Sequence, residues 1–502
     1  MMTTLLSVLL SIAALTIRPL PPGTQLHIRL TTAVGSYASV PGSPVSALLI
    51  APVIVDGETV LEAGSILTGR VKSVTRVGYG LRHETAGLNL EFSQITPPDG
   101  ETIPLSAQVA GVDNSRERVT RDGRIQGVRS TGSLCYRVSG YIRTALQWEI
   151  HAELAEWAIR SLLMELPEPE IYYPAGVELT LTLTEPLSLD APRRSEEASE
   201  QIAEQTPGPE ASRPLSNDER QELGRIVALM PYRTEVPGSG RSSDLTNILF
   251  VGTHDQIVTA FDAAGWTQPG PPSFRDRIHW IRAVAELRGD EAAPMSLLLL
   301  NGAEPDMSWQ KGLNDVSKRH HIRMWKAAGT WRGREIWVGA ATRDIDFAYM
   351  RPGRKLSHKI EEDVDQERDK VAYDVAFSSC GNILDWTDRP DFPRVARNAT
   401  GDPIVTDGRM VALALNDCHS PRLSTETVDA TPLAEHGGLV QRFARREILS
   451  ARNGLLRTNP YWRTFKATRW IVESIRRRNR QQQTPDPELL SRSHAAAVAM
   501  RQ

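Results

Sequence analysis

Cysteine is scarce: Cys135, Cys380 and Cys418 are the only three in 502 residues. Three widely spaced thiols are no disulfide framework. Without a C-x-x-C pair they form no cysteine zinc site either, although one disulfide can still close. The H-E-x-x-H zinc helix, the G-x-S-x-G nucleophile elbow and the phosphate loop are all missing. Gly78-Tyr79-Gly80 lacks the third glycine and following helix of a dinucleotide fingerprint, so it reads as a turn or bulge. Past the first twenty residues, no apolar run is long enough to span a bilayer as a helix.

Hydrophobic residues make up 40% of the chain, too many for a disordered protein, and the length allows two to four domains. The apolar run Leu5 to Ile17 (LLSVLLSIAALTI) has the length of a signal-peptide core. No Lys or Arg precedes it and no small-x-small cleavage site follows, so a buried first strand or helix is the competing reading. The expectation is a signal peptide over 1–19 and an exported protein, periplasmic or membrane-associated.

Residues 20–189 read as a β-rich domain with a helical insertion. LHIRLTTAV, SALLIAPVIV, ILTGRVKSVTRV and LNLEF are short Val/Ile/Leu/Thr-rich runs separated by Asp56-Gly57, Ala63-Gly64 and Asp99-Gly100. A barrel or sandwich closes such a set of strands. Pro22-Gly23-Thr24 feeding LHIRL is repeated by Pro174-Ala175-Gly176 feeding VELTL, and the second copy is expected to return and pair with the first sheet. Between them, Leu146, Ile150, Leu154, Ala158 and Leu162 recur every four residues and predict a helix over 142–166.

Residues 190–215 (including RRSEEASEQIAEQTPGPEASRP) bury too little apolar surface to offset ordering entropy and read as an acidic disordered linker. Residues 216–418 then mix strands and helices, which argues α/β or α+β. NILFV (247–251) is a buried strand. Thr253-x-x-Gln256 is a capping box opening a helix that Gly265 closes. A helix over 274–287, strands at 295–300, 320–326 and 335–342, a helix opened by Asp363, and a last strand at 411–415 complete the unit. The fold class is therefore multidomain: an all-β N-terminal barrel or sandwich plus an α/β C-terminal domain.

The tail, 419–502, reads as helical or disordered, and it is basic. Residues 441–480 hold twelve Lys/Arg against Glu447 and Glu473, a net of +10 that leaves −13 elsewhere. Trp462, Phe465, Trp470, Ile471 and Ile475 interleave with the cations. That mixture suits an anionic membrane surface, with docking on the acidic body or on envelope proteins as alternatives. An exported chain meets no nucleic acid, so none is expected as a partner.

The second unit resembles the LssY C-terminal domain family over about 220–418. The residues that carry the likeness are Ser243-Asp244-Leu245-x-Asn247, Phe261-x-x-Ala264-Gly265-Trp266, Arg319-His320-His321-x-Arg323-x-Trp325, Trp337-x-Gly339-Ala340-Ala341-Thr342-Arg343-Asp344, and His358-x-Ile360-x-x-Asp363-Val364-Asp365-x-Glu367-Arg368-Asp369. Gly401-Asp402-Pro403 and Thr406-Asp407-Gly408-Arg409 extend it. This resemblance implies a bacterial envelope setting and no defined reaction. Residues about 20–118 resemble, mostly in turn residues, the C-terminal barrel of TrbI-type secretion-channel components: Pro22-Gly23-Thr24, Asp56-Gly57, Ala63-Gly64-Ser65, Gly69-Arg70-Val71 and Pro98-Asp99-Gly100. That likeness implies barrel architecture.

Three chemistries are open to the polar residues of the second unit. In an extended strand His321, Arg323 and Trp325 share one face. A hairpin through Gly329 and Gly333 brings His321 and Arg323 beside Arg343 or Asp344. His321 or His358 with Asp344 then makes a general acid/base pair for hydrolysis, and Arg323, Arg343 and Arg368 make an anion-binding set. His320, His358, Asp363 and Asp365 are ligand types suited to zinc or another divalent metal. The third reading is structural: the same groups pair with one another at a sheet–helix junction. Arg368 lies on an apolar helix stripe and so needs a partner, with Asp344 or Asp346 foremost and a phosphate or carboxylate ligand as the alternative. The preferred function is a binding or assembly module at the envelope. The alternative is a hydrolase, with or without a metal, acting on a phosphorylated or lipid-derived substrate.

Overall fold

The computed structural model describes residues 19–129, 168–188, 215–269, 282–286, 289–290, 295–350, 355–418 and discontinuous stretches between 440 and 475, apart from 38, 56, 81–82, 99 and 391. The expected signal peptide, the 142–166 helix, nearly all of the acidic linker and most of the 274–287 helix lie outside the described residues.

Six antiparallel strands close a barrel: β1 (Gln25–Leu30), β2 (Pro44–Leu49), β3 (Ile66–Thr75), β4 (Gly87–Thr96), β5 (Ile103–Val112) and β6 (Glu178–Leu183). Their order is β3-β2-β1-β6-β5-β4, and β3 pairs back onto β4. The repeated Pro/Gly-led strands, β1 and β6, are neighbours, as the repeat predicts. Alternation fills the interior: Leu26, Ile28, Leu30, Leu67, Leu90, Phe92, Leu179 and Leu181 are all buried. At Gly69 a Cβ would stand 2.1 Å from the Glu91 carbonyl oxygen, so only glycine allows β3 and β4 to approach at that irregular crossing.

The second sheet contains β7 (Ile248–Val251), β8 (Met307–Gly312), β9 (Arg319–Trp331), β10 (Arg334–Met350), β11 (Lys355–Ile360), β12 (Gly381–Asp388) and β13 (Arg409–Leu415). Its order is β8-β9-β10-β7-β13-β12, with β11 on β10; β7 and β13 are parallel and the other pairs antiparallel. Three helices cover it: α1 (Asn217–Leu229), α2 (His254–Ala263) and α3 (Val364–Phe377). Thr253 and Gln256 form the capping box of α2, and Asp363 caps α3.

Alternation along β7 assigns the layers. Ile248 and Phe250 join Ile257, Phe261, Ile322, Met324, Val371 and Val375 beneath α2 and α3. Leu249 and Val251 join Leu223, Val227, Trp325, Ile336 and Val338 beneath α1. Residues 295–300 do not form the expected strand. Only Leu299 and Leu300 make isolated bridges, to Glu235 and Ala303. A disulfide joins Cys380 to Cys418.

The barrel and the α/β layers belong to one compact unit, residues 1–77 and 85–435. Residues 78–84 cluster with 436–502 in a second unit, where Arg452 donates to the Gly80 carbonyl at 2.9 Å and Arg445 lies over the Tyr79 ring. No helix among the described residues is long and apolar enough to cross a membrane.

Candidate functional site

The β9–β10 hairpin turns through Gly329 and Gly333, both at positive φ. Its register sets Arg319 opposite Asp344, His320 opposite Arg343 and His321 opposite Thr342. Odd-numbered β9 residues therefore face the α1 side of the sheet, and even-numbered ones face α3 and the barrel. The polar residues fall into separate networks by this rule.

On the α1 side, Asp344 is the hub. His321 Nε2 donates to its Oδ1 at 3.0 Å, Arg319 Nε donates to Oδ2 at 3.0 Å, and His358 Nδ1, carried by β11, lies 3.3 Å from Oδ2. Burial opposes ionisation of this carboxylate, but His321, His358 and Arg319 outweigh it and hold Asp344 far below the usual range. Burial pushes His358 downward, as do the neighbouring Arg319 and His321, against the pull of Asp344. Arg323 donates to the Ser296 carbonyl at 2.8 and 3.0 Å and to Asp244 at 3.4 Å. The three residues expected to form an acid/base set, His321, His358 and Asp344, do come together. Thr342 Oγ1, 3.3 Å from both ring nitrogens of His321, is the nearest hydroxyl, but Thr342 is only 1% exposed. A depression of about 300 Å³, counting its open solvent, lies beside Arg319 and is lined by Thr267, Asp290, Gln310 and Lys318; neither histidine lines it.

On the other side, His320 bridges two modules. Its Nδ1 donates to Glu367 Oε2 of α3 at 2.5 Å, and its Nε2 donates to Asp113 Oδ2 at 2.6 Å, just past barrel strand β5. Arg343 donates to the other Asp113 oxygen at 2.6 Å. Burial disfavours the imidazolium, yet Asp113 and Glu367 together raise its pKa to about 9. Beside this bridge, Arg29 and Glu178, register partners on the outside of the barrel, meet Lys311, Lys370 and Asp374. Lys311 lies 2.7 Å from Glu178 and 3.0 Å from Asp374; Lys370 lies 2.8 and 2.6 Å from the same two carboxylates. Trp266 Nε1 adds a 2.9 Å bond to Asp374. The loop after β5 completes the junction: Lys318 donates to the Ser115 carbonyl at 2.6 Å, and Asn314 donates to Glu117 at 2.8 Å.

Two expectations need correction. Arg368 is buried, but Asp344 and Asp346 are not its partners. Asp344 faces the opposite side of the sheet from α3, and Asp346 accepts instead from the Phe347 amide. Arg368 donates to Asp407 at 2.7 and 3.3 Å, to Asp369 at 2.8 Å and to Asp365 at 3.2 Å. Its guanidinium is thus satisfied by carboxylates of the chain itself. Nor do His320, His358, Asp363 and Asp365 assemble as one metal set. The sheet separates His320 from the Asp344–His358 pair, Asp363 caps α3, and Asp365 accepts from Thr406 and the Asp407 amide. Among the described residues no cluster of three or more His, Cys, Asp or Glu is arranged to hold a metal ion.

Asp113, Glu178, Glu367, Asp374 and Arg29 are absent from the sequence-derived site. Arg29 and Glu178 occupy outward positions of strands whose inward neighbours are Leu and Ile, which is the pattern of a solvated barrel wall. Only their burial, at 3% and 7% exposed, reveals a covered wall.

No curated protein matches the chain. Among solved structures, ComB10 of the Com type IV secretion system of Helicobacter pylori is similar at 14% identity over 36% of this chain and 94% of that one. The TM-score is 0.21, too low to carry an argument. Residues 230–410, which supply β7 to β10, β11, β12, α2, α3 and the polar networks around Asp344 and Arg368, match the family model described as the LssY C-terminus.

Proposed function

We propose that the chain is a non-catalytic binding or assembly module of the cell envelope, in which the barrel and the LssY C-terminus-like layers act as one rigid body and the basic stretch 441–480 contacts envelope components. The observation that carries this reading is the burial and mutual pairing of the polar residues. His320 is spent on Asp113 and Glu367, His321 on Asp344, and Arg368 on Asp407, and Thr342 has no access to a substrate. A catalytic centre needs groups left unsatisfied toward a cleft; here His320 ties the barrel to α3, and the His321–Asp344 and Arg368–Asp407 pairs brace the second module internally. The Cys380–Cys418 disulfide suits an oxidising compartment, as does the apolar run at 5–17.

The test is fractionation of cells expressing the full chain, with alkylation and mass spectrometry under non-reducing conditions. Recovery in the envelope fraction with Cys380 and Cys418 bonded supports the reading. A cytoplasmic protein with both thiols free overturns it.

The hydrolase reading keeps one supporting observation: the His358 side chain is 18% exposed while touching Asp344, so a proton has a route to solvent there. Turnover of a phosphomonoester or phospholipid that His358→Ala abolishes, with unchanged thermal unfolding, would establish it in place of the binding reading.

A further inference from the structure

We infer that the stretch 464–475 docks on the surface of an anionic lipid bilayer. The inference deepens the proposed envelope role by naming the partner of the basic tail, and it depends on that role only for access to the membrane.

The described residues of this stretch are helical, and Ile471, Val472 and Ile475 are 49%, 41% and 53% exposed. At about 100° per residue these three fall in one arc of roughly 100°, the width of a helix face that seeks an apolar environment. Residues 464, 465 and 467 to 469 are exposed as well, so among the described residues of the stretch none is buried. Another cluster of exposed apolar groups in the same unit, Val440, Phe443 and Ile448, lies within or next to the same basic segment.

The charge selects the partner. Residues 441–480 carry twelve Lys/Arg against two acids, and Arg476, Arg477 and Arg478 follow Ile475 directly. Polyanions of any kind attract such a segment, but a nucleic acid offers no apolar surface for the isoleucines, whereas the boundary between headgroups and acyl chains does. The −13 carried by the rest of the chain is repelled by an anionic surface, which confines contact to this segment.

The experiment is flotation of the purified full chain with vesicles of phosphatidylcholine alone and of phosphatidylcholine with about one-third phosphatidylglycerol. Flotation with the anionic vesicles only, weakened at least tenfold at about 1 M salt where the Debye length is about 3 Å, supports the inference. Ile471→Ser, Val472→Ser and Ile475→Ser combined should weaken binding at least tenfold while thermal unfolding stays unchanged, because these side chains are exposed. Replacing Arg476, Arg477 and Arg478 by Gln should weaken it about fivefold per residue, the equivalent of about 1 kcal/mol each. Equal flotation with neutral vesicles, indifference to the triple serine variant, or retention of duplex DNA without vesicle binding would overturn it. Vesicle binding by a protein that fractionates to the cytoplasm would sink the envelope role and leave the docking chemistry standing.

Discussion

His320 and Asp113 are 207 residues apart, yet they share a 2.6 Å hydrogen bond across the seam between the barrel and the α/β layers. The imidazole is held at both nitrogens by carboxylates from different modules, Asp113 from the barrel and Glu367 from α3, with Arg343 on the far oxygen of Asp113. Such a bridge is strongest with the ring charged.

The pH dependence of stability follows from that charge. The pKa of His320 is raised from 6.5 to about 9 in the folded protein. Its contribution is therefore complete below pH 6.5 and disappears as pH rises to about 9, with a span of roughly 3 kcal/mol. His358 acts in the opposite sense, since burial lowers its pKa and folding must oppose its protonation as pH falls below 6.5. Stability should therefore be greatest near pH 6.5. Urea unfolding from pH 6 to 9.5 measures the alkaline limb. His320→Gln should flatten that limb, and an equally steep loss in the variant would show that another group titrates.

Glu178 anchors the second part of the seam, facing Arg29, Lys311 and Lys370. Glu178→Gln leaves three buried cations sharing Asp374 as the carboxylate in direct contact, with Asp113 acting on Lys370 from further off. Removing one member of a buried ionic cluster typically costs about 3–5 kcal/mol. Denaturant unfolding monitored by tryptophan fluorescence and far-ultraviolet dichroism should show the midpoint falling for both probes together, because the barrel and the sheet share the cluster. A loss confined to one probe would mean that the two modules unfold independently.

Local features of this architecture are readable from sequence, and contacts between distant segments are not. The capping box of α2, the β9–β10 hairpin and the pairing of the two Pro/Gly-led strands depend on neighbouring residues or on repetition, so alternation and the hairpin narrow the neighbours of His321 to Arg343 or Asp344, of which the register selects Asp344. Arg368 is recognisable as a buried charge from its place on the Val364–Val371–Val375 stripe. Its partner is not, because Asp407 arrives from a loop 39 residues further on. Asp113 and Glu178 carry no signal at all: each sits on the barrel where a polar residue is ordinary, and their role exists only once another module covers them.

The Arg368 cluster gives a clean test of charge satisfaction. Arg368→Met keeps most of the stem volume and leaves Asp365, Asp369 and Asp407 without their shared cation. Asp407, now held down to about 2 chiefly by hydrogen bonds from Arg368 and Arg409 against its burial, would titrate closer to an ordinary aspartate. Stability should fall by about 3 kcal/mol at neutral pH, and the deficit should shrink as the carboxylates protonate below about pH 4. Thermal unfolding of both proteins at pH 7 and pH 3.5 measures this. A deficit that is the same at both values would assign the loss to packing of the arginine stem.

The disulfide contributes through the unfolded chain. Cys380 and Cys418 are 38 residues apart, and closing a loop of that length stabilises by about 4 kcal/mol on chain-entropy grounds. The bond ties the C-terminus of α3, through Ser378 and Cys380, to the segment leaving β13, so its loss loosens the helix that carries Glu367, Arg368, Lys370 and Asp374. Cys380→Ser with Cys418→Ser should therefore lower stability and also weaken the seam, seen as faster exchange of the amide protons around Asp113, far from the sulfur atoms. Exchange at Asp113 that stays at the wild-type rate while overall stability falls would show that α3 holds the barrel without help from the cross-link.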